Sequence, residues 1–390
     1  KRYSLETRKK FKKELNLNKI SLKKISLFLL IFLPFAIIVA AFITFVPEGN
    51  TKNLAWIVST PFLLLSLMFT LDYDVIELVA WYGGEELPIR YRFAATWAAR
   101  EGPVLLWAAW MALLSTIWNK PFANESKQAA TMRLRLMNGF ALVLLLVAWG
   151  MKPFANSNGF RGPGLNELLQ TDLMVIHPPL VFLAYSFCIT LACTAVSSIL
   201  TDTEGLKDRL ISIARPAFFI ATLGIGLGGL WAYLILDWGG YWAWDPVETG
   251  SLLPWIALII LLHLRTRPGK ASDTAWAGIA MAAGALALFA TMITRAGGVW
   301  AVSVHTFVVN SDGTTPTDVF GRLMATLIIN LKKRKHNFIF KINHIYKIMI
   351  KYKNFPLLTA PSTLLNSLSI YMTPLVLILI YDSEITGFTT

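Results

Sequence analysis

Residues 178–200 read PPLVFLAYSFCITLACTAVSSIL, an apolar run of 23 residues without a charged side chain. A helix needs about 20 mainly apolar residues to cross the hydrocarbon core of a bilayer. The backbone must satisfy its own hydrogen bonds inside lipid, so this run predicts a transmembrane helix and not an isolated strand.

Similar apolar runs recur on both sides of this segment. Only 15% of the residues are charged, whereas a soluble domain carries about 25%. The predicted fold class is therefore all-α, a polytopic integral membrane helix bundle with about 9–10 transmembrane helices. We predict these helices over 25–46, 54–71, 103–118, 133–151, 178–200, 216–236, 250–265, 274–294 and 321–331, with a further one over 360–381.

Composition divides the chain into three regions. Residues 1–24 are strongly basic, 25–330 form the predicted transmembrane domain, and 331–390 form a basic and hydrophobic tail rich in Lys, Asn, Ile and Tyr. The first apolar run is too long for the apolar core of a cleavable signal peptide, so none is predicted.

The net charge of +13 points to the membrane and not to nucleic acid. The basic residues form short clusters between apolar runs, as the positive-inside rule requires of cytoplasmic loops. Four loops, 72–102, 152–177, 237–249 and 295–320, then face outward. The basic residues 1–24 break this scheme if 25–46 and 54–71 both cross. The clusters are Arg133 and Arg135; Lys207, Arg209 and Arg215; Arg265, Arg267 and Lys270; and Lys332 to Lys335.

A tryptophan-rich loop over 237–255 is the densest chemical signal, and it contains the sequence WGGYWAWDPVE at 238–248. An aromatic belt at the membrane interface is one interpretation. A platform for a large planar ligand is the other, because a glycine pair lets the backbone approach a ligand closely and indoles stack on flat rings. The candidate ligand-binding residues are Trp231, Trp238, Gly239, Gly240, Tyr241, Trp242, Trp244, Asp245 and Trp255.

Two of the five histidines, His177 and His305, lie on the predicted outer side and flank this loop in sequence. Two imidazoles facing each other across a planar ring would give a bis-histidine haem. Zinc competes less well, since it requires three or four close ligands. An interfacial or capping role is the alternative for each histidine alone.

Several other residues are candidates for specific roles. His263, near the cytoplasmic end of a span, either ligates a second, buried haem or reaches toward the inner interface. Arg295 and Arg161 are candidate partners for haem propionates, because guanidinium matches carboxylate in a bidentate fork. Asp245 and Glu248 could orient a histidine, cap the helix that begins near Pro246, or pair with arginine. Capping is the role predicted for Asp245, because a proline follows it at the first turn. Cys188 and Cys193 are predicted to be small core residues.

Four stretches together resemble one family. Trp238–Pro254, WGGYWAWDPVETGSLLP, resembles the tryptophan-rich WWD signature of haem-handling proteins of cytochrome c biogenesis, and its Asp-Pro-Val-Glu ending resembles the CcmF/NrfE-type branch. Three further stretches, Leu71–Trp107, Gly162–Tyr185 and Thr294–Phe307, resemble other segments of that branch. The resemblance covers roughly residues 55–330.

This resemblance implies a function in cytochrome c maturation. Family members help attach haem covalently to the CXXCH thiols of apocytochrome c outside the membrane, as part of a haem lyase (holocytochrome c synthase) complex. By motif match, His177 and His305 would ligate the substrate haem b at the WWD loop, and His263 would ligate a structural haem. The implied partners are apocytochrome c, a haem chaperone and a thiol-reducing subunit. The implied membrane is a prokaryotic plasma membrane or the mitochondrial inner membrane.

The sequence departs from the family pattern at several points. Family chains are usually longer, and no second membrane histidine follows His305 in a matching context. Ala98 to Gly102 read AAREG where relatives often read GGHEG, and Thr249 replaces a common Asn. A non-catalytic haem exporter or chaperone of the same pathway is therefore the alternative function. A quinol-linked redox subunit and a plain transporter are weaker alternatives.

Overall fold

The computed structural model describes residues 19–45, 51–202, 204–235, 240–266 and 271–295. Helices account for nearly all of the regular structure over these ranges, and a single β-bridge joins Ile76 to Asn156. The helices are α1 (Lys19–Phe45), α2 (Thr51–Thr70), α3 (Glu77–Tyr82), α4 (Ile89–Ala95), α5 (Glu101–Ile117), α6 (Lys127–Met151), α7 (Asp172–Leu200), α8 (Leu206–Ile235), α9 (Pro246–His263) and α10 (Asp273–Arg295), with a 3₁₀ turn at Glu167–Leu169.

The predicted all-α membrane fold is confirmed. Each of the eight spans predicted between residues 25 and 294 lies largely within one helix. Five helices, α6 to α10, are long and apolar enough to cross a membrane, and α1, α2 and α5 contain shorter apolar stretches. The spans predicted at 321–331 and 360–381 lie outside the described residues, as does the basic segment 1–18.

Helix α7 is the centre of the bundle and packs against α5, α6, α8 and α10. Small residues bring α10 close to it. A Cβ built on Gly284 would lie 2.6 Å from Cβ of Ala192 and 3.1 Å from the carbonyl oxygen of Cys188. Such small-residue contacts let membrane helices approach closely where no hydrophobic force drives them together. Both cysteines are buried along α7, as predicted for small core residues.

The start of α7 differs from the prediction. The helix begins at Asp172 and not at residue 178, because Thr171 caps it by accepting hydrogen bonds from the backbone N–H groups of Leu173 and Met174. Pro178 therefore lies inside the helix, where it cannot donate to the carbonyl of Met174. The indole N–H of Trp97 donates to that carbonyl instead, at 2.7 Å.

Helices α6 and α8 also begin well before the starts predicted for them. Helix α8 begins at Leu206 with Pro216 inside it, so the loop predicted over 201–215 is short. Helix α6 begins at Lys127 because the Ser126 hydroxyl accepts a hydrogen bond from the N–H of Ala129. Prolines and charges near a span thus predict a helix boundary in the sequence, although these helices continue through them.

Two long connections pack on each other at one end of the bundle. The N–H of Gly162 donates to the carbonyl of Ala80 at 2.9 Å, and the rings of Trp81 and Phe160 stack with centroids 5.3 Å apart. This contact between 72–102 and 152–170 agrees with the prediction that both face the same side. The short helices α3 and α4 in this layer were not predicted.

The opposite end of the bundle contains two buried arginines. Arg133 forms two hydrogen bonds with Glu125, at 3.0 and 2.8 Å, and donates to the carbonyl of Trp118 at 2.7 Å. Arg209 donates to the carbonyls of Asn124 and Asp202. Both belong to the predicted cytoplasmic clusters, but in the fold they tie loops to helices.

Candidate functional site

A cavity of about 210 Å³ lies where the first turns of α5, α7 and α9 meet the C-terminal halves of α8 and α10. These ends belong to the same side of an alternating bundle, the side predicted to face outward. The wall is mostly apolar. It includes four residues that the sequence indicates as candidates, namely His177, Trp231, Trp242 and Glu248.

His177 projects from the second turn of α7 toward α8. Its Nδ1 lies 2.8 Å from the carbonyl oxygen of Gly224. A carbonyl can only accept, so Nδ1 carries the proton in this contact. In the neutral ring the lone pair is then on Nε2, the nitrogen that could ligate a metal, and a carbonyl that orients a ligating histidine in this way is common at metal sites.

Glycines on α8 make room for this ring and for the tryptophan-rich loop. A Cβ built on Gly228 would lie 2.8 Å from Cε1 of His177, and one built on Gly229 would lie 2.8 Å from the carbonyl oxygen of Tyr241. Any larger residue at either position would displace the imidazole or the loop. Close backbone approach, predicted for Gly239 and Gly240, is thus found at Gly228 and Gly229 of α8, for which no such role was predicted.

The structure divides the predicted aromatic platform. Trp231 and Trp242 line the cavity, and the indole Nε1 of Trp242 is shielded from solvent without a hydrogen-bond partner among the described residues. Trp244 is exposed, with its ring 6.0 Å from that of Trp242 in an edge-on arrangement. Its backbone lies in the left-handed region, at φ 60°, which is unusual for a bulky residue.

Tyr241 and Trp255 lie outside the cavity wall. The Tyr241 ring stacks on Tyr233 with centroids 4.5 Å apart. Trp255 stacks on Phe218 and donates its indole N–H to the Thr222 hydroxyl at 2.9 Å. These two side chains fit the alternative interpretation of an interfacial aromatic belt.

Asp245 caps α9, as predicted. Its carboxylate accepts from the N–H of Val247 at 2.9 Å, and the Glu248 carboxylate accepts from the N–H groups of Ala243 and Asp245. This reciprocal capping box fixes the loop where it enters the helix. Glu248, which the sequence suggested for several roles, therefore holds the cavity side of the loop in place.

The remaining candidates are scattered. His263 is at the other end of α9, exposed, with Nδ1 2.9 Å from the carbonyl of Ile259.

Arg161 forms ion pairs with Asp74 at 2.9 Å and Asp72 at 3.5 Å. Burial lowers and these two carboxylates raise the pKa of Arg161, with a net increase. Arg295 ends α10, one residue after Thr294 in the cavity wall. Trp238, Gly239 and His305 lie outside the described residues.

Arg100 was not predicted as a site residue, yet it lines the cavity. It immediately precedes α5 and lies inside a tight turn from Thr96 to Gly102. Only glycine fits at position 102, because a Cβ there would lie 1.6 Å from the carbonyl oxygen of Thr96. The sequence contained one signal for it, the arginine at the position where relatives of this type often have histidine.

The donor set of the cavity suits a planar, mostly apolar ligand. It offers the imidazole of His177, two indoles and a glycine-lined approach from α8. Over the described ranges, no group of three or more His, Cys, Asp or Glu side chains could hold a metal ion.

Comparisons with known proteins agree on one family. A family model described as "Cytochrome C assembly protein" matches residues 97–300, more than half of the chain. The chain is 35% identical over 278 residues to the cytochrome c-type biogenesis protein CcmF of Escherichia coli (strain K12), covering 66% of this chain and 42% of that protein. It is 30% identical over 295 residues to the cytochrome c-type biogenesis protein NrfE of Haemophilus influenzae, covering 71% and 46%.

The fold also has a counterpart among solved structures. A solved structure of a protein named "Cytochrome c Heme Lyase CcmF" aligns with a TM-score of 0.50 at 23% identity, covering 67% of this chain and 44% of that one. The chain thus spans less than half the length of these relatives. The resemblance stated from the sequence motifs is confirmed, and the chain belongs to the cytochrome c assembly protein family, with relatives of the CcmF and NrfE type.

Proposed function

We propose that this protein binds haem at its outer cavity and helps attach it to the CXXCH thiols of apocytochrome c. The observation that carries the proposal is the position of His177. It lines the same cavity as the indoles of Trp231 and Trp242, and its Nδ1 donates to the carbonyl of Gly224. Membership of the cytochrome c assembly family supports the reaction class.

Each cavity residue has a role in this proposal. His177 would ligate iron through Nε2, with His305 as the predicted second ligand. Trp231 and Trp242 would contact the porphyrin face and exclude water from it. The Asp245 and Glu248 capping box keeps Trp242 against the cavity.

The chain would act by proximity and orientation. When bound, haem supplies two vinyl groups, and the cysteine thiols of the apocytochrome are the nucleophiles. Each thiol adds across one vinyl group: a carbon–sulfur bond forms, and the thiol hydrogen ends on the neighbouring carbon. Cys188 and Cys193 are buried, so neither competes with the substrate's thiols.

A non-catalytic haem exporter or chaperone is the second candidate. The described part of the chain contains two histidines, His177 and His263, and they lie at opposite ends of the bundle. The His263 side chain is exposed, and its Nδ1 contacts a carbonyl of its own helix. A structural haem at His263 would therefore require a second iron ligand from outside the described residues. The exporter needs only the outer site.

The proposed partners follow from the same function. They are apocytochrome c, a haem chaperone and a thiol-reducing subunit, and the membrane is a prokaryotic plasma membrane or the mitochondrial inner membrane. The five spans make the chain an integral membrane protein in either case.

The test is the visible spectrum of the detergent-purified chain, oxidised and dithionite-reduced, for wild type, His177→Ala and the His177→Ala/His305→Ala double variant. We expect a bis-histidine haem spectrum in wild type that the double variant loses. A b-type signal that survived there and disappeared in His263→Ala would establish a second haem and favour the lyase. If wild type showed no haem signal even after added hemin, the proposal would be wrong.

A further inference from the structure

We propose that Arg100 recognises a carboxylate of the cavity ligand, which is a propionate if the ligand is haem. This inference rests on the proposed function and adds an anion-binding residue to it. The sequence pointed to Arg161 and Arg295 for this role, whereas the cavity wall of the described residues contains Arg100.

The backbone around Arg100 is held firmly. The turn that contains it is closed by the contact between Gly102 and Thr96. Trp97, three residues earlier, is anchored through its indole N–H to the carbonyl of Met174 at 2.7 Å, one turn before His177 on α7. The same contact thus links the Arg100 segment to the helix that bears His177.

The guanidinium of Arg100 has N–H donors that its contact with Glu101 does not use. Its side chain is 25% exposed, and its contact with Glu101 is a single one at 4.0 Å. One Glu101 oxygen accepts the backbone N–H of Arg100 at 3.1 Å. By comparison, the buried Arg133 has two close bonds to Glu125 and two to carbonyls. A partly buried arginine whose carboxylate contact is as long as 4.0 Å is suited to a bidentate anion.

Neighbouring charges leave the cavity open to an anion. The Glu248 carboxylate is engaged by backbone N–H groups of its own loop. Of the other outer arginines, Arg161 is paired with Asp72 and Asp74, and the exposed Arg90 with Asp172 at 2.9 Å. Arg92 donates to the carbonyls of Leu87 and Glu85. Among the described residues of the cavity wall, Arg100 is therefore the cation available to the ligand.

The experiment compares hemin with hemin dimethyl ester, in which both propionates are esterified. Soret difference titrations of the full chain in detergent would give the ratio of the two dissociation constants for wild type, Arg100→Gln and Arg100→Lys. Arg90→Gln is the matched control, because it removes an arginine from the same side without touching the cavity. The ratio cancels iron ligation, which both porphyrins share.

We expect wild type and Arg90→Gln to bind hemin about tenfold or more tightly than the ester. Arg100→Gln should weaken hemin binding by that factor and leave ester binding unchanged, with Arg100→Lys in between. If Arg100→Gln kept the wild-type ratio, the inference would be overturned and Arg100 would serve only to hold Glu101. A wild type that bound neither porphyrin would instead refute the proposed function itself, and this inference with it.

Discussion

His177 shows how one residue of the site depends on the absence of side chains opposite it. Its imidazole lies against Gly228 and is held by the carbonyl of Gly224, one turn earlier on α8. The spacing of four residues places both glycines on one face of that helix. The ring orientation is therefore set by α8 and not by α7 alone.

Gly228→Ala should displace this ring. The new Cβ would start 2.8 Å from Cε1 of His177, so the imidazole must move and its bond to Gly224 must lengthen. Losing the group that orients a metal-ligating histidine typically weakens metal affinity about 10- to 100-fold. We expect a hemin affinity at least about tenfold lower in absorbance titrations.

Gly226→Ala is the control for this variant, since nothing lies within 4 Å of its added Cβ. Both variants add one methyl group to the same helix and should melt at similar temperatures in detergent. Equal hemin affinity in the two variants would contradict an orienting role for the α8 glycines.

At the same scale, local chemistry could be predicted but orientation could not. Asp245 before Pro246 predicts a helix cap from two adjacent residues, and the capping box is present. The division of the aromatic residues was not predictable, because Trp242 faces the cavity and Tyr241 faces Tyr233 owing to the contact of the loop with Gly229 on another helix.

Among the elements, the connection between α5 and α6 shows why the burial of a charged residue could not be predicted from the sequence. Arg133 fits the positive-inside pattern, but its side chain is fully buried with that of Glu125. The Phe122 ring covers the guanidinium at 4.7 Å, and the N–H of Phe122 donates to Glu125 at 2.9 Å. The positive-inside pattern treats such an arginine as a loop charge, because the pattern contains no information about its buried partner Glu125.

Removing the Glu125 charge should destabilise this connection. In Glu125→Gln, Arg133 stays buried without a counter-charge, and breaking a buried pair in this way costs about 3–5 kcal/mol. We expect a clearly lower melting temperature in detergent. The double variant Glu125→Gln/Arg133→Gln should lose less than the sum of the two single variants, because it removes the uncompensated charge.

The same measurement on Glu167→Gln, an exposed carboxylate at the other end of the bundle, should give a change close to zero. If Glu125→Gln melted at the same temperature as Glu167→Gln, the ion pair would not hold the connection. Additive losses in the double variant would show that the two side chains act independently.

At the scale of the whole molecule, the apolar runs were sufficient to predict an all-α membrane fold, and eight predicted spans correspond to helices. The helix starts were harder, because Pro178 and Pro216 look like first-turn prolines and lie inside helices. The carbonyl left by Pro178 is satisfied by Trp97, 77 residues away. Pairings over that distance are properties of the folded bundle and leave no local pattern in the sequence.

The orientation of the bundle is the remaining whole-molecule prediction. The cavity end contains the connection with Glu86, and the opposite end contains the loop with Glu204, both exposed. The basic clusters at the Glu204 end predict that it is cytoplasmic. In right-side-out spheroplasts, a membrane-impermeant maleimide should label Glu86→Cys directly and Glu204→Cys only after permeabilisation.

The native chain is the control for this labelling. Its only two cysteines, Cys188 and Cys193, are buried along α7 and should not react in the folded protein, so each signal reports the introduced thiol. Labelling of Glu204→Cys before Glu86→Cys would invert the bundle and place the cavity on the cytoplasmic side. That result would separate haem binding from thioether formation, because an apocytochrome outside the membrane would then lie on the wrong side of the cavity.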